Sequence, residues 1–155
     1  MELILWRHAE AAPGSPDSAR PLTERGRADA ALVARWLGDR LPRELRLLVS
    51  PARRAQETAR SLGREFETVD AIAPGADSTA VLDAAGWPSA TQSALVVGHQ
   101  PTLGEVASRI LADRHLPPTM ATGALWWLRY RPRSGGGDAE LLLALDPRGD
   151  VHLFR

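Results

Sequence analysis

The chain contains no cysteine, which excludes disulfide scaffolds, thiolate metal sites and cysteine-based nucleophilic chemistry together. It carries no net formal charge, 19 basic residues balancing 19 acidic ones. A nucleic-acid binder that relies on a whole-domain positive field is therefore not expected, although a local basic pocket remains open. No apolar run approaches the ~20 residues that a membrane span needs. The start, Met1-Glu2-Leu3-Ile4-Leu5-Trp6-Arg7, lacks the basic n-region and long apolar stretch of a signal peptide, so a soluble cytoplasmic protein is the expectation. There is no Gly-x-x-x-x-Gly-Lys loop, no Gly-x-Gly-x-x-Gly turn and no Asp-x-Asp pair. His115 and His152 stand apart from metal-ligand spacings, so neither a catalytic metal nor a cofactor is expected.

The chain has 155 residues, 44% of them hydrophobic and 25% charged, enough for one ordinary core. Leu3-Ile4-Leu5-Trp6, Leu47-Leu48-Val49 and Leu95-Val96-Val97 have the length and make-up of parallel strands buried on both faces. Residues 9–22, with Pro13, Gly14, Pro16 and Pro21, read as a loop. Thr23 then caps a helix whose apolar positions are Ala30, Val33, Trp36, Leu37 and Leu41, ended by Pro42. Ser50-Pro51 reads as a second helix start, serine as N-cap and proline at the first helical position. Its apolar stripe is Ala52, Ala55, Ala59, Leu62 and Phe66.

A short edge strand over 67–70, a small helix over 78–85 and a helix from 102 to about 112, closed by Pro117-Pro118, follow. Residues 125–130 and 140–145 read as two strands joined by a flexible loop over 133–138. The tandem Trp126-Trp127 is read as strand packing. Early alternation of strands and helices with strands dominating late predicts a three-layer α/β/α sandwich over 1–155. Its central sheet is mostly parallel, with antiparallel C-terminal strands.

Four residues follow the three apolar runs: Arg7 and His8, Arg54, and His99. In open α/β sheets the functional crevice lies outside the carboxyl ends of the strands. Two guanidinium forks and two imidazoles delivered to one rim suit a dianionic phosphoryl group, with a histidine available as nucleophile. Arg54 falls in the first turn of its helix, where free N–H groups already favour an anion. Gly98 before His99 lets the backbone turn tightly or come close to a ligand. Arg53, Arg60 and Arg64 read as surface arginines. Arg20 either reaches the pocket from the proline-rich loop or pairs with a nearby carboxylate.

Leu5-Trp6-Arg7-His8-Ala9-Glu10-Ala11, Arg20-Pro21-Leu22-Thr23, Ser50-Pro51-Ala52-Arg53-Arg54-Ala55-Gln56-Glu57-Thr58-Ala59 and Val96-Val97-Gly98-His99-Gln100-Pro101 resemble the histidine phosphatase (phosphoglycerate mutase-like) superfamily. Within it, the short bacterial phosphohistidine phosphatases of the SixA type look closest. The resemblance implies that His8 attacks phosphorus and becomes a phosphohistidine, which water hydrolyses. Arg7, Arg54 and His99 would hold the phosphoryl oxygens. His8 must be neutral to attack, whereas His99 serves best as imidazolium; positive neighbours and a bound dianion push its pKa in opposite senses.

The sequence departs from the family pattern in two places, of which the second matters more. Ala9 stands where the family usually has glycine, as in many members of the SixA type. The interval from Phe66 to Ser93 is short and holds no recognisable acid motif, where larger members carry a carboxylic general acid. Glu10, Asp70 and Asp77 are the nearest candidates, with Asp77 read rather as a helix cap and Glu10 as a loop residue near the rim. An alkoxide leaves poorly without an acid, whereas the imidazole of phosphohistidine leaves with its second nitrogen already protonated. The expected substrate is therefore a phosphohistidine in a protein partner. The alternatives are a small-metabolite phosphomonoester and a non-catalytic phosphate-binding role.

Overall fold

A computed structural model describes residues 1–111, 119–149 and 151–153. Strand β1 (Glu2–Arg7) lies between β4 (Ser93–Gly98), parallel to it, and β5 (Leu125–Arg133), antiparallel to it. β2 (Leu45–Val49) pairs in parallel with β4 and with the short edge strand β3 (Glu67–Thr68). β6 (Gly136–Leu145) and β7 (Val151–Leu153) extend the other side antiparallel, so the sheet order is β3-β2-β4-β1-β5-β6-β7. This is the expected mixed sheet, parallel through its first four strands and antiparallel through its last three.

The helices form a layer on each face. α1 (Glu24–Leu37) and α2 (Arg53–Arg60) bury Ala30, Val33, Leu37, Ala55 and Ala59 against Ile4, Trp6, Leu47, Val49, Leu95 and Val97. α3 (Ser78–Ala85) and α4 (Thr102–Leu111) bury Val81, Ala85, Leu103, Val106 and Ala107 against Leu3, Leu5, Leu48 and Val96. Alternate residues of β1 thus enter opposite cores, which is why all four of Leu3 to Trp6 are apolar and none is exposed. Trp126 packs into one core and Trp127 into the other, as read from the sequence.

Register positions the rim. Arg7 is level with Gly98 and Val49 with Val97, so the residues just past β1, β2 and β4 emerge side by side. The His8 amide donates to the Gly98 carbonyl and the Ser50 amide to the Val97 carbonyl, each at 3.0 Å, continuing both ladders past their strands. Gly98 is small for a packing reason: a Cβ there would press on Ile72 and Leu103 from 3.1 and 3.3 Å.

Five expectations are corrected. α2 ends at Arg60, so Leu62 and Phe66, read as part of its apolar stripe, lie beyond the helix and pack on the same core from the segment that follows. Ser50 is not the cap of α2; the helix begins at Arg53, Ala52 holds the cap position, and Ser50 accepts from the Ala52 amide at 3.2 Å. α1 ends at Leu37 and continues as a 3-10 turn over Gly38–Arg40, so Leu41 lies beyond it although its side chain still joins the core. The edge strand is two residues long and breaks at Asp70 into a second 3-10 turn. The predicted 133–138 loop is mostly strand: β5 runs to Arg133 and β6 starts at Gly136, with Gly135 at φ 89° in the turn. Arg131–Glu140 and Arg133–Asp138 ion pairs, both 2.8 Å, bridge these arms and favour pairing that composition alone argues against. Strand β7 has no counterpart in the sequence reading. Pro117-Pro118 and the end of the fourth helix at 112 lie outside the described residues, as does His115.

Candidate active site

All four sequence-selected residues meet at the carboxyl rim of β1, β2 and β4. The His8 and His99 rings lie 5.0 Å apart between centroids, tilted by 53°. Arg54, buried in the first turn of α2, bridges them: its Nε donates to His8 Nε2 at 3.2 Å and its Nη2 approaches His99 Nδ1 at 3.4 Å. Arg7 is anchored through its backbone amide on the Ala124 carbonyl and through Nη1 on the Met120 carbonyl at 2.6 Å. Its Nε is buried with no hydrogen-bond partner among the described residues.

The chemistry of the partners settles both tautomers. A guanidinium only donates, so His8 Nε2 must accept, and its proton sits on Nδ1, which donates to the Ala9 carbonyl at 2.8 Å. By the same logic His99 Nδ1 accepts from Arg54, and Nε2 donates to the Ser50 hydroxyl at 2.7 Å. Ser50 Oγ, with no exposed surface, then uses both lone pairs, one for His99 and one for the Ala52 amide.

Burial is the largest cause holding both rings neutral. It pushes His8 down to about 4, aided by Arg54, Arg7 and Arg20 and opposed by the Ala9 hydrogen bond. His99 falls to about 3 through burial, His8 and Arg54, with Asp17 pulling the other way. Cationic surroundings and desolvation therefore win at His99 in this state, and it is an imidazole.

Two further residues complete the site. Thr58, fully buried on α2, donates to the Arg54 carbonyl at 2.7 Å and accepts from the Ala9 amide at 3.0 Å, tying the arginine's helix to the chain just past His8. Asp17, in a 3-10 turn of the proline-rich loop, takes Arg54 twice: its carbonyl accepts from Nη1 at 2.8 Å and its Oδ2 from Nη2 at 3.0 Å. Its Oδ1 accepts from Arg20 Nη1 at 3.0 Å. The second reading of Arg20 holds: it pairs with a carboxylate, and that carboxylate in turn joins it to Arg54. Helical period and strand ends gave no signal for Asp17, which sits in an aperiodic loop; Ser50 was visible only as a helix cap.

The three candidate acids are placed elsewhere. Asp77 caps α3, accepting from the Thr79 amide at 2.7 Å. Glu10 accepts from Thr23 Oγ1 and Arg148 Nη2, both at 2.9 Å. Asp70 is exposed beyond β3, three strand spacings from β1, roughly 14 Å along the sheet. Among the described residues no group of three or more His, Cys, Asp or Glu is arranged to hold a metal ion, and no helix is long and apolar enough to cross a membrane.

Comparison with known proteins agrees with this geometry. A sequence profile described as the histidine phosphatase superfamily (branch 1) matches residues 3–75. The chain is 31% identical over 135 residues to the phosphohistidine phosphatase SixA of Escherichia coli, covering 81% of this chain and 83% of that protein. Among solved structures it is similar to a putative phosphohistidine phosphatase SixA from Agrobacterium tumefaciens, with TM-score 0.78, 28% identity, and coverage of 94% and 97% of the two chains. It is also similar to a protein histidine phosphatase SixA complexed with tungstate, with TM-score 0.73, 28% identity, and coverage of 95% and 97%.

Proposed function

The chain belongs to the histidine phosphatase superfamily, and from that premise we propose that it hydrolyses phosphohistidine in proteins through a covalent intermediate on His8. The observation that carries this reading is the His8 tautomer. Its Nδ1 proton is committed to Ala9 and its Nε2 lone pair faces Arg54 and His99, which is the form an attacking nitrogen needs.

When a phosphoryl group enters, Arg54 Nε turns from the ring to the phosphoryl oxygens and frees that lone pair. The His8 Nε2–P bond forms while the substrate's N–P bond breaks, and the substrate imidazole leaves neutral if its other nitrogen is protonated. His8 keeps its Nδ1 proton, so the phosphorylated ring is cationic and is itself a good leaving group. Water then attacks phosphorus, His8 departs as the neutral imidazole it began as, and both protons of the water leave with phosphate as its monoanion. Arg7, Arg54 and His99 supply donors to the three equatorial oxygens in both steps. The dianion favours a protonated His99, whose Nδ1 then donates to a phosphoryl oxygen while Nε2 stays on Ser50.

Two supports favour a phosphoramidate over an ester. Glu10 and Asp77 are committed to other partners. Asp17 is held ionised by Arg20 and Arg54, so it is no proton donor. Tungstate in a similar protein is an oxyanion of phosphate-like shape, in line with a tetrahedral ligand.

His8→Ala is expected to abolish turnover. Labelled substrate mixed briefly and quenched in alkali should trap a phosphoenzyme that acid destroys. Label recovered on serine or aspartate would overturn the mechanism. A comparison of kcat/KM for a phosphohistidine peptide against a panel of metabolite phosphates tests the substrate. An ester preferred by orders of magnitude would overturn that half alone, and phosphate binding without turnover would point to a binding module.

A further inference from the structure

We infer that Asp17 is a built-in anion that competes with the incoming phosphoryl group for Arg54 and so keeps the site's affinity for free oxyanions low. The inference rests on the phosphoryl-binding reading above and adds how that site avoids holding its product.

The contact is uneven in the way a competitor should be. The Arg54 side chain is 6% exposed and that of Asp17 58%, so a buried cation is met by a carboxylate lying at the mouth. Arg54 Nη2 serves both Asp17 Oδ2 and His99 Nδ1, so the carboxylate takes one of the two N–H groups of a nitrogen that borders the histidines. A dianion drawing on the same nitrogen would meet a like charge close by.

Asp17 also has somewhere to go. Its other oxygen is bound to Arg20 Nη1, and Arg20 is fixed through Nε on the Ala12 carbonyl at 2.8 Å. The turn Asp17–Ala19 buries none of its residues, so moving it exposes no core. A phosphoryl group can therefore displace the carboxylate from Arg54 while the Arg20 pair persists. Each ligand must supply that displacement energy. Inorganic phosphate, the product, has only its own oxygens to offer, whereas a phosphorylated protein adds contacts beyond the phosphoryl group. The penalty lowers the affinity for both by the same factor, and the product, with no other contacts to hold it, is left bound weakly.

Calorimetric titration with inorganic phosphate at pH 7 and fixed low ionic strength tests this without any turnover. Asp17→Asn and Asp17→Ala should tighten the phosphate Kd by roughly two- to fivefold, the factor an ion pair of this exposure supports. Asp17→Glu, which keeps the charge, should stay within about twofold of the wild type, and the gain should shrink in high salt. Unchanged or weaker binding in the neutral variants would overturn the inference, as would equal tightening in Asp17→Glu or no phosphate binding in any form. A failed phosphoenzyme trap would instead overturn the catalytic proposal and leave this titration standing.

Discussion

The Ser50 hydroxyl shows how much a single buried atom carries here. It accepts from His99 Nε2 and from the Ala52 amide, so removing it strands one ring proton and one backbone donor. Ser50→Ala is expected to lower kcat/KM by roughly tenfold, the order of one buried hydrogen bond, and to weaken phosphate binding in parallel because His99 loses its orientation. A fall in Tm with unchanged kcat/KM would assign Ser50 to packing alone. Arg54→Lys should be far more damaging. An ammonium cannot reach His8, His99 and the phosphoryl oxygens from one rigid fork, so kcat/KM should drop at least 100-fold while the circular dichroism spectrum is kept.

Between elements, the contacts that matter are small. Thr58 is the hydroxyl pin between α2 and the segment after β1, and Thr58→Val keeps its shape while leaving the Ala9 amide unpartnered. The expected cost is about 1–3 kcal/mol of stability in urea unfolding. A kinetic loss should accompany it, because the neighbouring Ala9 carbonyl holds His8 Nδ1. Gly26 is a second such point. It lies in the first turn of α1, where a Cβ would run into the Glu10 carbonyl oxygen, so the helix packs directly on the loop that leaves the site. Gly26→Ala raises helix propensity and should nevertheless lower Tm; a higher Tm would show that α1 is free to shift.

For the molecule as a whole, the two neutral histidines link folding to pH. The ordinary histidine value is 6.5, against about 4 for folded His8 and about 3 for folded His99. Between these limits the unfolded chain binds protons that the folded chain refuses, so stability falls as pH drops from about 6.5 towards 4. Urea midpoints measured from pH 7.5 to 4.5 should decline over that window. The His8→Asn, His99→Asn double variant should show a flatter profile, and an equal slope in both would refute the assignment. Carboxylates held low by partners, such as Asp17 and Asp77, add their own loss only at lower pH.

The three buried strands, the two-faced burial that makes them wholly apolar, and the quartet Arg7, His8, Arg54 and His99 were legible in the sequence. Strand ends are local, and the period of hydrophobic residues reports burial directly. Ser50 looked like a helix cap because Ser-Pro is a good local start signal. Register instead placed it beside His99, and no local propensity encodes that. Asp17 was invisible because a loop residue has no period, and its partner lies 37 positions away on another element. Local chemistry therefore determined which side chains this protein can bring to a phosphoryl group. Tertiary packing alone decided their tautomers, their neutrality and the carboxylate set against them, because burial and long-range pairing exist only once the sheet has assembled.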